Sequence, residues 1–161
     1  MPSPIRVGIG FDVHRLVEGR PLVLAGVEVP SGTGPLAHSD GDVVLHAVAD
    51  AILGAAGLGD LGEHFPDTDA AWKDAPSSDI LGRVVEMAED AGWTPASADV
   101  NVLLEEPKLA RHKAAMRERL AQLLAVAPDA VGLKARTLEG LGPIGAGKAV
   151  AAQAVVVLDR I

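Results

Sequence analysis

Cysteine is absent from the 161 residues, which removes disulfide bridges, thiolate metal sites and cysteine nucleophiles, and fits a reducing cytoplasm as the compartment. Tyrosine is missing as well, and only two Phe and two Trp are present. Basic residues are outnumbered, 14 Lys and Arg against 22 Asp and Glu, for a net charge of -8. A nucleic-acid partner needs a cationic footprint or a set of stacking aromatics, and neither is available. No apolar run approaches the roughly 18 residues of a membrane span. The N-terminal MPSPIRVGIGFDVH has no basic region followed by an apolar core before Asp12, so a soluble intracellular protein without membrane contacts is expected. The G-x-S-x-G elbow is also lacking, which leaves a serine hydrolase without a nucleophile. An acidic chain can still bind a phosphorylated small molecule, provided that metal cations or a few placed basic groups offset the repulsion.

The residues that could hold such a cation cluster in 38–69, HSDGDVVLHAVADAILGAAGLGDLGEHFPDTD, with three histidines and six aspartates. Ser39 or Asp40 is the expected N-cap of a helix running to the glycines at 54 and 57. At 3.6 residues per turn, Asp42, His46 and Asp50 share one face of it, and Val44, Val48 and Ile52 the opposite one. Such a polar stripe on its own reads equally as a solvated surface. Here His38 lies just outside the helix start, and a loop with Asp60, Glu63, Asp67 and Asp69 follows the helix end.

Residues 5 to 16, IRVGIGFDVHRL, alternate as a strand, with Ile5, Val7, Ile9, Phe11 and Val13 on one face and Arg6, Gly8, Gly10, Asp12 and His14 on the other. The period of two projects Asp12 and His14 from the same side. Joined to His46 they make an Asp, His, His set, whose oxygen and nitrogen donors suit zinc with one coordination position left open. Their spacing in the chain is not a finger motif, and a solvent face that happens to read Asp-Val-His accounts for the strand pair alone.

The rest of the chain supplies scaffold. PLVLAGVEVP at 21–30 reads as two short strands about Gly26, followed by the turn-forming SGTGP. Residues 70–77 read as a loop. Ser77 or Ser78 should cap a helix whose stripe is Ile80, Leu81, Val84, Met87 and Ala88, stopped by Gly92. SADVNVLLEEPKL is a strand, LARHKAAMRERLAQLLAV an amphipathic helix with His112 at the surface, and VGLKART and KAVAAQAVVVLDR two further strands. The pattern predicts one domain over 1–161, α+β or α/β, with a sheet covered on one side by helices. Gly140 to Gly145 spells a dinucleotide fingerprint and Gly142 to Lys148 a Walker-like spacing, but Ala149 replaces the hydroxyl residue and too little chain remains for a nucleotide-binding βαβ unit.

Four blocks, GFDVHRL at 10–16, the run 36–69, EEPKL at 105–109 and KARTLEGLG at 134–142, closely resemble the 2-C-methyl-D-erythritol 2,4-cyclodiphosphate synthase family of the non-mevalonate isoprenoid route, over nearly the whole length. The resemblance implies an α+β subunit with a single mixed β-sheet and helices packed on one face, assembled as a homotrimer with active sites between subunits. It implies one zinc ion per subunit on Asp12, His14 and His46. A second divalent cation, Mg2+ or Mn2+, would be held at the substrate diphosphate with help from Glu139. The substrate would be 4-diphosphocytidyl-2-C-methyl-D-erythritol 2-phosphate, whose 2-phosphate attacks its own β-phosphorus and expels CMP.

By the same carry-over, His38 and Thr137 stabilise the transition state, and His38 and Ser39 contact phosphate. Val13, between two metal ligands, joins the substrate contacts. Asp60, Leu61, Gly62, Phe65 and Asp67 line the methylerythritol pocket, though Asp67 also reads as a turn residue and Gly62 as a position needing positive φ. Leu104, Pro107, Lys108, Leu109 and Ala110 hold the cytosine end, with Arg136, Thr137, Leu138 and Glu139 beside it. The chain departs from the family in Arg136 and Leu138, where many members carry threonines. Residue chemistry alone leaves two other readings: a zinc-dependent phosphoesterase, and a non-catalytic trimeric ligand-binding protein whose zinc is structural.

Overall fold

The computed structural model describes residues 3–161. Its main sheet has five strands in the order β4-β1-β7-β5-β6, formed by β1 (Ile5–Glu18), β4 (Thr33–Pro35), β5 (Trp93–Leu103), β6 (Val131–Arg136) and β7 (Ala149–Arg160). β1, β7 and β5 pair antiparallel and β5 and β6 parallel, so the sheet is mixed. β2 (Leu22–Leu24) and β3 (Val27–Val29) form a separate hairpin. The helices are α1 (Val43–Ala56), the single turn α2 (Leu61–His64), α3 (Ser77–Asp90), α4 (Lys113–Leu124) and the single turn α5 (Gly142–Gly145). Among the described residues no helix is long and apolar enough to cross a membrane.

Which side of β1 meets the helices decides the architecture. Gly8 and Gly10 turn toward α1, and they approach it so closely that an added Cβ would lie 1.9 Å from the carbonyl oxygens of Ala51 and Ala47 respectively. Side chains in register with them, Val156 and Ala154 of β7 and then Ala98 and Val100 of β5, are buried under the same helix layer. The strand's own apolar side faces the other way: Ile5, Val7, Ile9, Phe11 and Val13 are 48 to 69% exposed. A glycine-lined groove admits a helix backbone where bulkier side chains would hold it off, so the core forms on the glycine side.

α1 is buried nearly all round. Only His46, Asp50 and Gly54 are left open, one turn apart on a single stripe. The expected stripe is therefore shifted by one turn, because Asp42 is not on it. Asp42 is the N-cap, in place of Ser39 or Asp40: its carboxylate accepts from Val44 N and Leu45 N at 3.1 Å. The same carboxylate, fully buried, accepts from Ala25 N and Gly26 N at 3.0 and 2.7 Å and so ties the β2–β3 turn to the helix start. Burial pushes its pKa up to about 6 although these backbone donors oppose the shift.

Three further expectations are corrected. Neither Ser77 nor Ser78 caps α3: the N-cap is Pro76, which makes no side-chain cap bond, and Ser77 is its buried first residue. β5 begins at Trp93, earlier than the alternation from Ser97 suggested, through an irregularity between Pro95 and Ser97 that interrupts the period. The amphipathic helix starts at Lys113, residues 109–112 forming a turn in which His112 N donates to Leu109 O. The strand β4 and the short turns α2 and α5 lie in segments too glycine-rich and brief to show a period.

Candidate active site

β1 presents Asp12 and His14 upward from the sheet, and α1 crosses above them with His46 on its open stripe. Asp12 Oδ2 lies 3.0 Å from His14 Nε2 and 3.0 Å from His46 Nδ1, and the two nitrogens are 3.4 Å apart. The imidazole rings meet edge to face, their centroids 5.6 Å apart. A tetrahedral ion with bonds of about 2.0 to 2.1 Å needs donors roughly 3.3 Å from one another. The observed separations match that edge length, and one oxygen and two nitrogens leave a fourth position free. Among the described residues this is the single group of such side chains close enough to hold a metal ion.

Electrostatics agree with the geometry. Burial acts to raise the Asp12 pKa, but hydrogen bonds and positive charge from His14 and His46 outweigh it and hold the carboxyl at about 2. Burial likewise acts to depress His46, and the Asp12 hydrogen bond, with the charges of Asp12, Asp42 and Asp40, more than reverses this and raises its pKa. Asp12, Asp40 and Asp42 thus surround the His46 ring with carboxylates.

The triad opens into a cleft of about 430 Å³. Asp12, His14, His38, Ser39 and His46 line its floor, and Asp60, Leu61, Gly62, Phe65 and Asp67 its far wall. That wall is fastened to α1: Asp50 Oδ1 accepts from Leu61 N at 3.0 Å, and Asp60 caps α2 through Glu63 N. Gly62 does not have positive φ, so backbone strain does not explain it. Asp67 occupies a turn closed by Asp69 N to Pro66 O and borders the cleft as well. Sequence reasoning missed Phe11, Ala37, Asp50, Pro66, Trp72 and Ile80 as lining residues. Of these Asp50 carried a legible signal, one turn beyond His46. Trp72 did not, because it reaches the cleft by stacking edge-on against Phe65 at 4.7 Å.

The remaining expected residues lie elsewhere. Leu104, Pro107, Lys108, Leu109, Ala110, Arg136 and Thr137 line a second cavity of about 210 Å³, joined by Lys113 and Ala135. Asp12 is in register with Ala152, Ala152 with Val102, and Val102 with Ala135. Three strand spacings, about 14 Å, therefore separate the Asp12 row from the second cavity within one chain. Val13, Leu138 and Glu139 line neither cavity. Val13 belongs to the exposed apolar face, as alternation with its two neighbours requires. Glu139 stands at φ 54°, in a loop clamped by Glu105, whose two carboxylate oxygens accept from Leu138 N and Gly140 N at 3.2 and 3.1 Å. Thr137 Oγ1 accepts from Glu139 N at 3.2 Å in the same loop.

The model of the YgbB family matches residues 5–159. The chain is 58% identical over 155 residues to 2-C-methyl-D-erythritol 2,4-cyclodiphosphate synthase of Salinibacter ruber, covering 96% of this chain and 99% of that one. Its fold superposes on a CDP-bound 2C-methyl-D-erythritol-2,4-cyclodiphosphate synthase with a TM-score of 0.89 at 45% identity, covering 96% of this chain and 100% of the other. With the bifunctional IspDF of Campylobacter jejuni the TM-score is 0.94 at 43% identity, over 99% of this chain and 44% of that longer one.

Proposed function

This chain belongs to the YgbB family of 2-C-methyl-D-erythritol 2,4-cyclodiphosphate synthases, and from that premise we propose that the cleft over Asp12, His14 and His46 is where it turns 4-diphosphocytidyl-2-C-methyl-D-erythritol 2-phosphate into the 2,4-cyclodiphosphate and CMP. An oxygen of the 2-phosphate forms a bond to the β-phosphorus as the bond from that phosphorus to the bridging oxygen breaks, and CMP departs with that oxygen. The observation that carries the reading is the triad of donors spaced 3.0 to 3.4 Å apart in the floor of the cleft.

Attack within one molecule needs no protein nucleophile, in keeping with the missing cysteine. It does require a flexible chain to be held bent, and such positioning contributes about 7 to 11 kcal/mol in favourable intramolecular cases. His38 and Ser39 hold phosphate oxygens at the floor, and the wall from Asp60 to Asp67 receives the methylerythritol. Asp12, His14 and His46 would hold zinc, and Glu139 would help to hold magnesium or manganese; when bound, these cations would neutralise charge on the phosphoryl oxygens. The cavity from Leu104 to Ala110 takes the cytosine, with Arg136, Thr137 and Leu138 at its phosphate side.

Two observations support a homotrimer with its sites between subunits. The residues for one substrate are divided between two cavities of the same chain, and an apolar strand face is uncovered. A neighbouring copy that covers the face of β1 would bring its own second cavity beside this cleft. The phosphoesterase and structural-zinc readings are not favoured, since the relatives are synthases named for a cyclic diphosphate product.

Incubation with the diphosphocytidyl substrate, zinc and magnesium should release CMP and give two mutually coupled diphosphate signals by ³¹P NMR. Free phosphate in their place would indicate hydrolysis and reject the assignment. His46→Ala should stay folded and assembled with turnover nearly abolished.

A further inference from the structure

The far side of the His46 ring is as carefully held as the side that faces the triad. His46 Nε2 lies 2.8 Å from Ser77 Oγ, the buried first residue of α3, and 3.4 Å from Ser39 Oγ. Ser77 in turn is gripped twice by Asp40: its backbone N donates to Oδ2 at 3.0 Å and its hydroxyl contacts Oδ1. Asp40 Oδ1 also accepts from Asp42 N at 3.1 Å. We propose that Asp40 and Ser77 form a positioning relay that fixes the His46 imidazole in the tautomer with its lone pair on Nδ1, aimed at the metal position. The proposal rests on the metal reading of the triad.

The direction of each proton follows from the donor inventory. An ionised carboxylate only accepts, so the hydroxyl proton of Ser77 points to Asp40 and leaves its oxygen lone pairs toward His46. The ring nitrogen facing that oxygen must then carry a proton, which frees Nδ1 to bind a cation. Asp40 also accepts the first backbone N–H of α3, which Pro76 leaves uncapped, so both of its oxygens act as acceptors toward Ser77. Ser77 and Asp40 touch neither the other two donors nor, by the cleft lining, the substrate space. They act through the ring they orient, as outer partners of ligating histidines do generally.

The test compares zinc affinity of metal-stripped protein by chelator competition for the unaltered chain, Ser77→Ala, Ser77→Thr and Asp40→Asn. Outer partners of this kind are worth about 10- to 100-fold in affinity. Ser77→Ala and Asp40→Asn should therefore weaken zinc by about that factor, while Ser77→Thr, which keeps the hydroxyl, should restore most of it. Nitrogen-15 NMR of the zinc-loaded protein should show an Nε2–H on His46 that exchanges slowly in the unaltered chain and rapidly in Ser77→Ala. A merely structural role for Ser77 would lower thermal stability without moving either readout. Should Ser77→Ala fail to fold, Asp40→Asn carries the test with its near-equal shape. Equal zinc affinity in all four proteins overturns the relay and leaves the metal site standing; failure of the unaltered chain to bind zinc overturns the metal reading itself.

Discussion

Gly10→Ala tests the packing on which the site depends. The added Cβ would lie 1.9 Å from Ala47 O and 2.9 Å from the neighbouring carbonyl carbon, both helix backbone. Ordinary contact begins near 3.4 Å, so strand and helix must separate by about 1.5 Å, the difference 3.4 - 1.9. Overpacking a core costs about 1 to 3 kcal/mol, and an obstacle made of backbone places this change at or above the upper end. His46 is next to Ala47, so the same displacement pulls Nδ1 away from a partner now 3.0 Å distant. Misplacement by about 1 Å can cost roughly 100-fold at a reacting centre, and a fall of that order is expected in turnover, with weaker zinc binding. Urea unfolding of the metal-free protein gives the stability, chelator competition the affinity. Gly54→Ala is the control: it lies on the same helix, meets nothing within 4 Å, and should raise stability by about 0.5 to 1 kcal/mol through helix propensity. A Gly10→Ala protein with unchanged midpoint and zinc affinity, or a Gly54→Ala protein equally damaged, would refute the close-packing account.

Two more outcomes follow from the same structure. In metal-free protein, Asp12 with its pKa held at about 2 against 3.8 contributes about 2 kcal/mol above pH 3.8, lost as pH falls through 2; His46, raised, contributes fully below pH 6.5 and loses it as pH rises through its folded value. Asp12→Asn should therefore lower the unfolding free energy near pH 5 by about 2 kcal/mol and hardly change it at pH 2, and a uniform loss at both would count against the ion pair. Val7→Asp places a charge on the 63% exposed apolar strand face, outside both cavities; analytical ultracentrifugation should show a trimer for the unaltered chain and monomers for the variant, with zinc binding retained and turnover lost. A monomeric unaltered chain would remove the case for shared sites.

Much of the candidate metal site was legible because its rules are local. A period of two puts Asp12 and His14 on one side of a strand, and a period of 3.6 gives His46 and Asp50 one stripe of a helix, whatever the rest of the molecule does. The glycines at 8 and 10 were equally visible in that alternation. What they were for was not, since alternation defines two faces without saying which one a helix covers. The apolar face of β1 is open in the single chain, and only the 1.9 Å approach of α1 over the glycines reveals why.

Partners distant in the chain were decided by the tertiary structure alone. Asp40, Asp42 and Ser77 each carry the same short-range signal of a cap residue, and three acceptors near two helix starts can be matched in several ways. Folding matched Asp42 to α1 and to the β2–β3 turn, and sent Asp40 across 37 residues to the start of α3. The division of the proposed substrate residues into two cavities is of the same kind, because strand order in a mixed sheet is set by crossovers and not by sequence neighbours. The sequence by itself determined which atoms could bind a metal and on what local element each would stand. The packing of α1 on glycines, and hydrogen bonds that only compact chain can bring together, decided where those atoms point and what holds them there.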